Sequence, residues 1–186
     1  MAFYENTIIA KQDLSEAEFL KLKDKYNELI NNNSGKVVKI EQWGILNLSN
    51  KIKNYKKGIY LHIKFEGEKK TLDEFHKRVK LDNSIIRHLT VKYDKLDLKN
   101  EYFNKKGANS LSKLSLFQKN DGNKFSKKCP LSIKNAPIID YKNINLLKKY
   151  VSENGKILSS KITSVSFWKQ KKLSIEIKKA KILGLL

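Results

Sequence analysis

Between Ile59 and Glu66 apolar and polar residues alternate without a break, Ile59, Leu61, Ile63 and Phe65 against Tyr60, His62, Lys64 and Glu66. A period of two belongs to a β-strand, whose successive side chains point to opposite faces. One face of this strand is therefore built for a core, and the surrounding chain must supply that core. Residues 3–10 read as a further strand, as do residues 36–48, with Val38, Ile40, Leu46 and Leu48 on one face and Trp43 and Ile45 on the other. Leu89, Val91 and Tyr93 close the pattern as a last strand. Phe19, Leu22, Tyr26, Leu29 and Ile30 recur at helical spacing until Asn31-Asn32-Asn33-Ser34-Gly35 stops them, and Leu72, Phe75 and Val79 do the same downstream. Capping boxes are expected at Asp13 with Glu16 and at Thr71 with Glu74. The order β-α-β-β-α-β predicts an α+β, ferredoxin-like domain over residues 1–93, with both helices on one sheet face and the other face open to a partner.

Beyond it the pattern changes. Residues 94–128 hold Lys, Asn, Ser and Gly without sustained periodicity and read as a flexible basic linker, although Leu111, Leu114 and Phe117 have the spacing of one short turn. Residues 129–186 predict a small, mostly helical basic module. Asp140 is placed to cap a helix whose face is Ile144, Leu147 and Val151, and Gly155 to end it. A second helix is expected from near Ser164 to about Leu183, with Leu173, Ile177 and Ala180 as its apolar stripe. Lys169, Lys171, Lys172, Lys178, Lys179 and Lys181 charge the rest of it. So small a core is marginal alone.

Charge separates the two parts. The chain of 186 residues has a net charge of +20. Residues 1–100 carry 20 Lys+Arg against 14 Asp+Glu, a net +6, and residues 101–186 carry 19 against 5, a net +14. The first part is an ordinary domain by this measure; the second suits a polyanion. Arg78 and Arg87 are the only arginines. Candidate RNA contacts are Lys51, Lys53, Lys56 and Lys57, four like charges in one hairpin that is either solvated or neutralised by phosphate, and Lys156, Lys161, Lys169, Lys171, Lys172, Lys178, Lys179 and Lys181 in the second module.

Several motifs carry a family resemblance. Ile139-Asp140-Tyr141-Lys142, then Ser152-Glu153-Asn154-Gly155-Lys156-Ile157, then the basic last helix resemble bacterial small-subunit ribosomal protein eighteen across residues 129–186. Ser159 stands where that family usually has proline, and Ser164 where it usually has glycine. Tyr4-Glu5, Gly35-Lys36, Glu41-Gln42-Trp43-Gly44 and Ile86-Arg87 resemble small-subunit ribosomal protein six across residues 1–93, with Ile45 where arginine is common. The double resemblance implies a fusion of two neighbours. Such a chain would be a structural constituent of the small subunit, binding the central domain of small-subunit rRNA with its modules paired intramolecularly and with neighbouring small-subunit proteins as further partners. Trp43, Ile45, Tyr60 and His62 are the candidate inter-module contacts. Trp43 alternatively stacks on a base, and His62 is alternatively an ordinary surface histidine.

Cys129-Pro130-Leu131-Ser132 resembles a cysteine pair that binds zinc in some relatives of protein eighteen. Ser132 replaces the second thiol, and structural zinc takes four Cys or His ligands. No metal and no cofactor are expected. No nucleophile motif, glycine-rich phosphate loop or carboxylate pair points to an enzyme. One cysteine, no apolar run of spanning length and no apolar leader predict a cytoplasmic protein away from membranes, and the resemblance implies that it resides on the ribosome. The competing reading is a ferredoxin-like regulatory or protein-binding domain with a basic tail that binds nucleic acid without specificity.

Overall fold

The computed structural model describes residues 2–98, 103, 129–132 and 136–186. The chain divides into two compact units, Met1–Asn100 and Glu101–Leu186. The linker expected over residues 94–128, including Leu111, Leu114 and Phe117, lies outside the described residues apart from 94–98 and 103.

The first unit runs β1 (Ala2–Lys11), α1 (Glu16–Asn32), β2 (Lys36–Ile52), β3 (Tyr55–Gly67), α2 (Lys69–Leu81) and β4 (Ile85–Tyr93). The strands form one antiparallel sheet in the order β2-β3-β1-β4. This is the βαββαβ arrangement that the sequence pattern predicts. The alternation in β3 sends Ile59, Leu61, Ile63 and Phe65 into one core with Tyr4 and Ile8 of β1, Phe19, Leu22, Tyr26 and Ile30 of α1, and Phe75 and Val79 of α2. Both helices thus cover the same face. Gly58, between β1 and β2, is there because a Cβ would stand 2.5 Å from the Ile9 methyl.

Local chemistry corrects several boundaries. Helix α1 is capped by Ser15, whose hydroxyl accepts the Glu18 amide while the Glu18 carboxylate accepts the Ser15 amide, so the box lies two residues beyond Asp13 and Glu16. Thr71 caps nothing. Helix α2 already starts at Lys69 behind Glu68, and the buried Thr71 hydroxyl donates to the Asn33 carbonyl at 2.6 Å. In β2 the register slips between Val37 and Lys39, so Val37 packs on the core and Val38 is left exposed; an inserted residue exchanges the two faces of a strand. The hairpin that carries Lys51, Lys53, Lys56 and Lys57 is almost entirely strand. The strands continue to a two-residue turn at Lys53 and Asn54, both in the left-handed region (φ 48° and 69°), the primed geometry that matches strand twist.

The second unit contains α3 (Ile144–Lys148), α4 (Ser160–Thr163) and α5 (Phe167–Ile182). Asn143, not Asp140, caps α3, accepting the Leu146 amide, while Asp140 closes the preceding turn by accepting the Lys142 amide. Val151 has left the helix and bridges Ile157, and Gly155 (φ 72°) sits in the turn between them. Helix α5 begins at Phe167 after Ser166. Ser164, where glycine is usual in the resembled family, holds a left-handed φ of 56°.

Asp82 ties the first unit together. Its carboxylate accepts Lys25 Nζ at 2.7 Å and the Tyr26 hydroxyl at 3.0 Å from α1, and the Ser84 amide at 3.0 Å at the entry to β4. Burial by itself would raise the Asp82 pKa, but these hydrogen bonds outweigh it and hold the carboxyl below its ordinary value. Burial, with Asp82 beside it, pushes the Tyr26 phenol up. Replacing Asp82 by alanine strands a fully buried hydroxyl, and a loss of about 1–3 kcal/mol is expected in denaturant melts. Because the folded-state pKa is depressed, this advantage of wild type is full above the ordinary value of 3.8 and fades as pH falls through the lower folded value. Melts across pH should show the two proteins converging only in acid.

Candidate nucleic-acid interface

The second unit builds its surface around α5. Leu173, Ile177, Ala180 and Leu183 are fully buried, against a core that includes Leu131, Ile139, Tyr141, Leu147, Tyr150 and Val165. Polar anchors add to this small core. The buried Glu176 carboxylate accepts the Tyr141 amide at 3.1 Å, tying the 139–142 turn to α5. Gln170 Nε2 donates to the Leu158 carbonyl at 2.8 Å, and Lys181 Nζ donates to the Gly155 carbonyl.

The lysines expected to meet RNA fall into distinct groups. Lys171, Lys172 and Lys178 are exposed on α5, and Lys156 and Lys161 are exposed on the neighbouring turn and on α4. Lys169 is half-buried. Lys179 pairs with Glu176 at 2.7 Å, and Lys181 is held by Gly155, so both are partly committed to the fold. In the first unit Lys51, Lys53, Lys56 and Lys57 are all exposed around the β2–β3 turn.

The four candidate contact residues do not share one environment. Trp43, Tyr60 and His62 lie together on the sheet face away from the helices: the Trp43 ring stacks on Tyr60 at 6.2 Å and on His62 at 4.9 Å. Ile45 is 61% exposed. His62 is no ordinary surface histidine, being fully buried with Nδ1 2.9 Å from the Thr7 hydroxyl and Nε2 3.7 Å from Glu5. Burial pushes the Tyr60 phenol well above its ordinary range. Beside them the buried Lys64 ammonium donates to Glu41 at 2.9 Å and to the Asp97 carbonyl at 2.6 Å, and Trp43 Nε1 donates to Glu41 at 3.3 Å.

Sequence reasoning missed this Glu5, Thr7, Glu41 and Lys64 network, which reads as plain alternation. It also missed Glu176, the one acidic residue in α5, and the exposed Phe167 and Trp168. A lone carboxylate three residues after Leu173 and next to Ile177 was the available signal for Glu176.

Cys129 is half-buried, and its Sγ accepts the Ser166 amide at 3.3 Å, just ahead of α5. Among the described residues no group of three or more His, Cys, Asp or Glu is arranged to hold a metal. Burial alone would raise the thiol, but hydrogen bonds from the Ser132 hydroxyl and the Ser166 amide outweigh it and bring the pKa down to about 7.

Comparison with known proteins divides the chain at the same place. The family model for ribosomal protein S6 matches residues 3–92, and that for ribosomal protein S18 matches residues 135–186. The small ribosomal subunit protein bS6 of Pelagibacter ubique (strain HTCC1062) is 44% identical over 106 residues, 57% of this chain and 88% of that protein. Protein bS18 of the same organism is 61% identical over 83 residues, 44% of this chain and 89% of that protein. The crystal structure of 30S ribosomal protein S6 from Thermotoga maritima covers 50% of this chain and 87% of its own, with 26% identity and a TM-score of 0.48.

The Cys129 environment makes a measurable prediction. Alkylation by iodoacetamide, followed by mass spectrometry, should reach half its limiting rate near pH 7, because the thiolate is the nucleophile. Ser132→Ala removes the strongest of the stabilising hydrogen bonds and should move that midpoint upward, toward the ordinary value of 9.0.

Proposed function

Because the chain belongs to two families at once, ribosomal protein S6 in its first part and ribosomal protein S18 in its second, we propose that it serves in the small ribosomal subunit as a joined pair that binds rRNA. Its role is structural rather than enzymatic. The second unit is the main RNA clamp. The observation that carries this is the exposed array of Lys156, Lys161, Lys171, Lys172 and Lys178 around a core too small to need so many cations. Their ammonium groups neutralise backbone phosphates and release counterions, which gives affinity and places the protein on RNA without reading sequence. Lys51, Lys53, Lys56 and Lys57 make a second, smaller phosphate contact from the β2–β3 turn. The target is the central domain of the small-subunit rRNA, and RNA shape selects the location.

The first unit acts chiefly as a protein platform. Trp43, Tyr60 and His62, all buried, stack together on the sheet face away from α1 and α2, and we assign the pairing of the two units to this face. Ile45 adds an exposed apolar group at the same strand. Aromatic stacks bury large area with little side-chain freedom to lose, which suits a permanent contact. Other small-subunit proteins are the remaining neighbours.

Two measurements test this. In salt titrations of rRNA binding, replacing Lys171, Lys172 or Lys178 by glutamine should each flatten the log-log slope by roughly 0.7 to 0.9 per lost phosphate contact. Lys179→Gln should change it less, since Glu176 already pairs with that lysine. An unaltered slope in the first three would place the phosphate contacts elsewhere. For the pairing, Trp43→Ala and Tyr60→Ala in the full chain are expected to lower amide-exchange protection across α5. Protection equal to wild type would remove the first unit as platform.

A further inference from the structure

We propose that Phe167 and Trp168 form a stacking platform for an unpaired RNA base, set in the first turn of α5 next to its phosphate-binding lysines. The inference deepens the RNA-binding reading above and rests on it. Phe167 is 73% exposed and Trp168 75% exposed, more than any other large hydrophobic residue described in the second unit. They are not overflow from the core. Helix α5 buries Leu173, Ile177 and Ala180, and at about 100° per residue Trp168 points to the opposite side of the helix. There it shares the outward face with Lys171 and Lys172, three and four residues further on, both exposed. The Phe167 and Trp168 rings meet edge to face, with centroids 5.5 Å apart and planes at 78°. In that arrangement a flat π face remains bare.

The company these rings keep decides what covers them. A protein surface seated on them would have to desolvate or neutralise the adjacent ammonium groups of Lys171 and Lys172. A nucleic-acid strand supplies both complements at once, phosphate for the lysines and a flat base for the rings. The base must be unpaired, because a base within a duplex already has its faces stacked and its edge paired. Stacking is indifferent to base identity but adds binding that salt does not screen, which lysine alone cannot provide.

The test uses the full-length protein and a short labelled oligouridylate, with an RNA duplex of equal length beside it. Anisotropy reports binding, and tryptophan emission reports stacking; Trp43 is buried and gives a constant background. Quenching by the single strand and not by the duplex is expected. Trp168→Leu should abolish the quenching and weaken single-strand binding by about 5- to 150-fold per lost stack, with the salt slope and melting temperature unchanged. Phe167→Leu should act in the same direction, and Trp168→Tyr should restore most of the affinity. Bound oligouridylate with unquenched emission, or Trp168→Leu binding as tightly as wild type, overturns the platform while leaving the lysine contacts standing. Wild-type binding to the oligonucleotide with normal affinity for Trp168→Leu, combined with failure of that variant to enter small subunits, would assign the rings to a protein neighbour instead. Absence of any RNA binding by the wild type would sink the platform together with the reading it rests on.

Discussion

One buried carboxylate organises the second unit. Helix α5 carries six lysines and a single acidic residue, Glu176. That carboxylate is buried against the Tyr141 amide and paired with Lys179. Burying it unpaired would cost several kcal/mol, so the two partners are a condition of the fold. Once they are satisfied, the position of the 139–142 turn on α5 is set, and with it the side of the helix on which the remaining lysines emerge. Like charges three and four residues apart destabilise a helix slightly. Glu176 offsets this at Lys179 alone among the α5 lysines described, and the proposed polyanion would relieve the rest.

The first unit solves the opposite problem. Its sheet is backed by helices on one face only, yet the other face carries Lys64, His62, Thr7 and Glu5, all buried. Each polar group there meets another, Lys64 with Glu41 and the Asp97 carbonyl, His62 with Thr7 and Glu5. A buried polar network of this kind stabilises little in net terms, but it is intolerant of rearrangement, because losing one member strands another. It holds Trp43, Tyr60 and His62 in one stacked arrangement. Rigidity of that sort is what the proposed pairing surface would need.

Element order and core faces were legible in the residues because periodicity reports them directly. The β3 alternation and the Phe19, Leu22, Tyr26, Ile30 stripe appear in the structure as read. The β-α-β-β-α-β order follows from them. What failed was chemistry that operates over one or two residues. Ser15 rather than Asp13 is the cap: both have an acid three positions on, but Glu16 is already the first residue of the helix, and the Ser15 hydroxyl with Glu18 closes the box. The slip at Val38 is invisible to a counting rule, because a bulge leaves composition unchanged while exchanging faces. In the second unit α3 stops after five residues, although the apolar spacing runs on to Val151; the bridge to Ile157 and the Ser152–Lys156 turn absorb that continuation. As for the candidate site, charge was legible and commitment was not. Lys178 and Lys179 look identical in sequence, and only the fold shows that one of them already has a carboxylate.

Arginine scarcity sharpens what the surface can do. The chain holds 37 lysines and two arginines by its letters, and both arginines lie in the first unit. Lysine supplies a point charge, whereas arginine supplies a planar fork that fixes the orientation of a phosphate and also stacks on bases. A lysine surface therefore attracts RNA strongly but orients it weakly. For the proposed RNA binding, orientation would have to come from somewhere else in the unit. The rigid elements offer it through the fixed outward direction of α5, enforced by Glu176 and by Gln170 on the Leu158 carbonyl. The exposed Phe167 and Trp168 would supply the flat contact that arginine provides elsewhere. A cationic helix with a bare aromatic pair at its start divides between two residue types what one arginine combines, charge on the lysines and planarity on the rings.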